Sequence, residues 1–104
     1  MNIGKMMQQA RKMQENMQKL QDELASMEVS GEAGGGMVKV TMTCSHQVKR
    51  VEIDPSLLEE NDRSLLEDLI AAAVNAAAAN ASERGKAEQQ KLMAGMPLPP
   101  GFSL

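Results

Sequence analysis

The sequence predicts an α+β fold: an α-β-β-β-α protomer in which a three-stranded antiparallel sheet is flanked by two long helices. Three observations carry that reading. Between Ile3 and Met27 the apolar residues fall in unbroken three–four alternation (Ile3, Met6, Ala10, Met13, Met17, Leu20, Leu24, Met27), the spacing that keeps one stripe of a helix facing a partner. Residues 28–54 switch to a period of two, broken by Gly34-Gly35-Gly36 and by Ser45-His46. An Ala-rich run from Ala71 to Ala81 then returns to a strongly helical composition.

The first helix covers residues 1–27, roughly 37 Å at about 1.5 Å per residue. That is longer than a compact small domain needs, and its heptad seam must be covered. The rest of the chain is short, so a second subunit is the natural cover. Glu28 to Ala33 alternates around Val29 and reads as a short strand. The three glycines supply the permissive backbone of a reversal. From Met37 to Cys44, Val38, Val40, Met42 and Cys44 face one way and Lys39, Thr41 and Thr43 the other, the pattern of a half-buried antiparallel strand. Gln47 to Ile53 makes the third strand, with Val51 and Ile53 on one face and Arg50 and Glu52 on the other, and Asp54-Pro55 ends it. Ser56 to Asn61 reads as an irregular turn.

The second long helix spans residues 62–92, with Ser64 and Glu67 in capping-box spacing. Leu65, Leu66, Leu69, Ile70, Ala73, Val74 and Ala77 form its apolar face, and the alanines allow another backbone to approach closely. Residues 93–104 hold Met96-Pro97-Leu98-Pro99-Pro100-Gly101 and read as an extended Pro-rich tail. No linker or internal repeat divides the chain, so residues 1–104 are expected to be a single domain.

With 104 residues, ten Met and Phe102 as the one aromatic, the core is small and weakly specified, which favours oligomerisation. A lone cysteine, Cys44, forms no internal disulfide and suits a reducing compartment. No stretch has the length and apolarity of a membrane span, and the polar, amphipathic opening is unlike a signal peptide. A cytoplasmic protein is expected. The net charge is −3, yet charge is segregated along the chain. Lys5, Arg11, Lys12 and Lys19 face only Glu15 in the first 21 residues, and Lys39, Lys49 and Arg50 form a second basic stretch. An acidic protein can still present a basic surface where it binds.

Catalysis finds little support. His46 stands at a strand break without a partner, and Cys44 reads as a small buried residue in alternation with Val40 and Met42. The two are too few for a zinc site, so no metal, cofactor or small-molecule substrate is expected. The glycine run lacks the Lys-Ser/Thr of a phosphate-cradling loop. Glu59, Glu60 and Asp62 complement the start of a helix. Binding fits better. Lys5, Arg11, Lys12 and Lys19 lie off the seam on the solvated face of the first helix, and a dimer would double them. With no Trp or Tyr, stacking of single strands has no platform. No recognition helix of a familiar kind appears, so duplex DNA held through its phosphates is the mode this chain permits.

Several stretches together resemble the YbaB/EbfC family of bacterial nucleoid-associated proteins. They are the Met/Gln-rich opening helix, Gly34-Gly35-Gly36-Met37-Val38-Lys39-Val40, the run from Val48 through Asp54-Pro55 to Leu58, Leu66 to Ala73, and Met93-Ala94-Gly95-Met96-Pro97-Leu98-Pro99-Pro100-Gly101. The ordered set covers nearly the whole chain. The resemblance implies a tweezer-like homodimer with protruding helices, located in the cytoplasm and nucleoid, that binds duplex DNA and takes part in nucleoid organisation and gene regulation. It also implies DNA contact on the long terminal helices, which here selects Lys5, Arg11, Lys12 and Lys19 with Arg84, Lys86 and Lys91. Glu83 and Glu88 offset part of the charge on the last helix. The competing expectation is a non-enzymatic adaptor for replication or recombination machinery, gripping its partner with the heptad helix and the Pro-rich tail.

Overall fold

The computed structural model describes residues 2–59 and 61–94. In chain order the elements are α1 (Ile3–Ser26), β1 (Glu28–Ala33), β2 (Val38–Thr43), β3 (Val48–Ile53), α2 (Pro55–Glu59) and α3 (Arg63–Ala94). The molecule is a rod, 70 × 23 × 17 Å.

The three strands form one antiparallel sheet in the order β1-β2-β3, with β2 in the middle. Helix α3 lies across β1 and β2 and leaves β3 largely uncovered. The reason is a contact between two backbones. Ala73, Ala77 and Ala81, one turn apart, are fully buried, and they set α3 down on Gly31 of β1. A Cβ at Gly31 would run into the Ala77 amide and come within 2.6 Å of the Ala73 carbonyl oxygen. The close approach expected of the alanines is therefore made onto a glycine that has no side chain to hold the helix away. Asn80 fastens the same edge, its Nδ2 donating to the Ser30 carbonyl at 2.8 Å. Val38, Val40, Met42 and Leu57 complete this core. A second cluster joins Leu20 and Leu24 of α1 to Cys44, with Leu92 of α3 packed against it.

Several local expectations are corrected. Thr41 and Thr43 are buried rather than facing water. The Thr43 hydroxyl is hydrogen-bonded to Ser45 Oγ at 2.7 Å and accepts from the Gln47 amide at 3.1 Å, so the turn folds over it. The segment after β3 is a short helix instead of an irregular turn. Asp54 precedes Pro55 as a cap, its Oδ1 accepting from the Ser56 amide at 2.9 Å, and Pro fits the first helical position. That hydrogen bond holds the Asp54 carboxyl below its usual pKa. Asn61 takes a left-handed φ of 56° between α2 and α3, a conformation Asn tolerates.

Helix α3 is capped by Asp62, whose Oδ1 accepts from the Leu65 amide at 3.0 Å. Ser64 therefore lies inside the helix, and Glu67 pairs with Arg63 at 2.9 Å instead of closing a capping box. Leu65 is exposed and does not join the apolar face. Met93 and Ala94 continue the helix rather than opening the tail. Residues 95–104, the rest of the expected tail, lie outside the described residues.

Candidate nucleic-acid interface

Helix α1 leaves the sheet end as a projecting arm. Asn2 caps it, accepting from the Lys5 amide at 3.3 Å. Only its base is packed: Leu20 and Leu24 are buried, whereas Ile3, Met6, Met7 and Met13 are exposed. Along this arm Lys5, Lys12 and Lys19 recur every seven residues. They form one stripe about 21 Å long at about 1.5 Å per residue, with Arg11 beside Lys12.

All four cations are exposed, and none forms an ion pair among the described residues. The first turn of α1 carries no acid. Lys5 therefore stands where the helix dipole disfavours a cation. These charges do little for the stability of the helix that holds them.

The cations of α3 are in a different state. Arg84 Nε meets Glu88 Oε1 at 3.1 Å, and Lys91 Nζ meets the same oxygen at 3.4 Å. The Arg84 hydrogen bond, aided by Lys91, holds the Glu88 carboxyl below its usual pKa. Lys86 alone of this group is unpaired among the described residues. The segment lies alongside the base of α1, where Leu92 packs near Leu20 and Leu24. The last turns of α3 thus meet the base of the arm, and of the two sets of expected contact residues the α1 set is the one wholly free of ion pairs among the described residues.

Sequence reasoning missed a second surface. The pairing of β2 with β3 slips between Thr41 and Met42, so that Met42 opposes Val48 and Thr41 opposes Arg50. Lys49 is the extra residue of this bulge. Directly opposed residues share a face, so Val48 joins Val51 and Ile53 on the side occupied by α3. Since α3 does not reach that far, Val48 is 48% exposed and Val51 41%. No signal in the sequence marks the bulge.

The remaining chemistry-bearing residues serve the fold. His46 takes a left-handed φ of 68° and its Nε2 is hydrogen-bonded to Ser82 Oγ at 3.0 Å, tying the β2–β3 turn to α3. Cys44 is buried, and its amide donates to the Met27 carbonyl at 2.9 Å. No cluster of three His, Cys, Asp or Glu suited to a metal ion occurs among the described residues. Among them, too, no helix is long and apolar enough to cross a membrane.

Comparison with known proteins gives two results. A solved structure described as an uncharacterized protein, HP0035, from Helicobacter pylori superposes with a TM-score of 0.76 at 22% identity, covering 89% of this chain and 98% of that one. At that identity the likeness speaks for the fold. The sequence model of the YbaB/EbfC DNA-binding family matches residues 1–96. Helix, antiparallel sheet and helix, carried on a sequence matched almost from end to end, make this chain a member of the YbaB/EbfC DNA-binding family.

Proposed function

We propose that the protein is a non-enzymatic, nucleoid-associated homodimer that holds duplex DNA through its phosphates and alters its conformation, with consequences for gene expression. The observation that carries this reading is the stripe of Lys5, Lys12 and Lys19 with Arg11 on a projecting helix, exposed and without acidic partners among the described residues. Lys86 extends the basic surface at the arm's base, while Arg84 and Lys91 contribute to the extent that Glu88 releases them. A stripe about 21 Å long spans roughly six base pairs at 3.4 Å each. Phosphate contacts of this kind position a protein without reading sequence.

The dimer assigned here joins at β3. Its edge has unpaired backbone groups, and the strip of Val48 and Val51 is open to solvent, a combination that invites a second sheet. Two arms then act on one duplex from symmetric positions.

Gel-shift titrations on unrelated duplexes at several ionic strengths test the reading. Each neutralised phosphate contributes a slope of about −0.9 to log K against log salt, so full engagement of four cations on each of two arms gives about −7. An affinity that does not change with salt would rule out the phosphate mechanism. Charge reversal of Arg11 and Lys12 should abolish retention. Val51→Glu should reduce the molar mass in light scattering to that of one protomer.

A further inference from the structure

The uncovered seam of α1 needs an occupant. From Ile3 to Met17 the residues Ile3, Met6, Ala10 and Met13 are exposed and Met17 half-buried, although their spacing is that of a coiled coil. A strict seven-residue repeat keeps a seam facing another helix, whereas a helix lying on a globular core follows a period of 3.6.

The flanks of the seam indicate which helix that is. With Ile3 and Met6 as the first two core positions, the residues bordering the seam down to Gln21 are Asn2, Met7, Gln9, Gln14, Asn16 and Gln21, and none is charged. In a coiled coil these are the residues that meet across the interface and select partners by charge. A partner of either net sign would leave this border without a complement. An identical helix meets no like-charge repulsion there, while Lys5, Arg11, Lys12 and Lys19 all point outward on both copies.

We infer that α1 pairs with α1 of another copy of this chain through Ile3–Met17. The inference goes beyond the β3 dimer of the proposed function, because the seam and the sheet edge are separate surfaces. A chain joined to one copy through β3 can join a different copy through α1, and two distinct two-fold contacts generate an open row of dimers. Two heptads make a weak contact in dilute solution. Copies held on one duplex meet at high effective concentration, and there the contact forms.

The test is disulfide trapping at Ala10, the midpoint of the uncovered seam, which meets its counterpart whichever way the two helices run. Full-length Ala10→Cys protein is oxidised with copper–phenanthroline, with and without a short duplex. The expected result is a covalent pair whose yield rises at least tenfold on DNA. Gln8→Cys, on the outer face, should give less than a tenth of that yield. Adding Met6→Gln and Met13→Gln, which leave net charge unchanged, should remove the product. Equal trapping at positions 8 and 10, or no trapping at 10, overturns the inference. So does a truncation after Ala94 that raises trapping severalfold, since the tail would then be the occupant. Gel shifts with the reduced protein separate the two readings: DNA retained without trapping sinks only the pairing, and trapping in free protein without DNA retention sinks only the DNA-binding reading.

Discussion

The two long helices divide the work of the molecule between them. Helix α3 is spent on stability: an alanine stripe pressed onto Gly31, a carboxylate cap at Asp62, and Arg84 and Lys91 both held by Glu88. Helix α1 keeps its apolar seam bare and its cations unpaired, and places Lys5 against its own dipole. Two long helices thus serve opposite uses, and the sorting is done by what each helix packs against. A surface that gives up local stability in this way is one kept for contact with something else.

The largest expected effect breaks the α3 side. Gly31→Ala places a methyl group inside the α3 backbone and should destabilise the fold by about 3 kcal/mol or more, read as a drop in the urea midpoint. Lys5→Gln with Lys12→Gln and Lys19→Gln attacks the other side. The melting temperature should hold or rise slightly, while the salt slope of DNA binding becomes shallower by about 2.7 for each engaged arm. A melting temperature that falls with unchanged DNA binding would reverse the division drawn here.

A smaller effect moves α3 toward the condition of α1. Glu88→Gln releases Arg84 and Lys91, so the salt slope should steepen by up to about 1.8 per protomer. The same pair carries a pH signature. Because the Glu88 and Asp54 carboxyls lie below their usual pKa values when folded, their stabilisation is complete above the unfolded carboxylate range, near 4, and disappears as pH falls through the lower folded values. Acid melts of Glu88→Gln should lack the Glu88 part of that loss. The smallest effect belongs to the seam: Met6→Gln and Met13→Gln should each change protomer stability by less than about 0.5 kcal/mol, as measured in dilute solution without DNA.

Most of the fold was legible because it rests on local periodicity. The three–four repeat of α1, the alternation of β2 and the alanine run of α3 each specify an element within one or two residues of its observed ends. What escaped depends on partners distant in sequence. Neither the burial of Thr41 and Thr43 nor the placement of α3 over β1 and β2 can be read from local alternation, and the competition of Asp62 with Ser64 for the helix cap was resolved by one hydrogen bond. For the interface, the exposed α1 cations followed from their place off the seam. The Arg84–Glu88 pair was visible as an i,i+4 spacing, but the convergence of Arg84 and Lys91 on one carboxylate oxygen was not.

The bulge at Lys49 gives the sheet edge its identity. Val48 and Val51 are three residues apart, a spacing that sets side chains on opposite sides of a regular strand, and the extra residue is what returns Val48 to the side of Val51 and Ile53. A strand that paired regularly through Lys49 would set a lysine opposite Met42 and turn Val48 away from that side. One inserted residue thus decides whether the open side of β3 carries three apolar side chains or two.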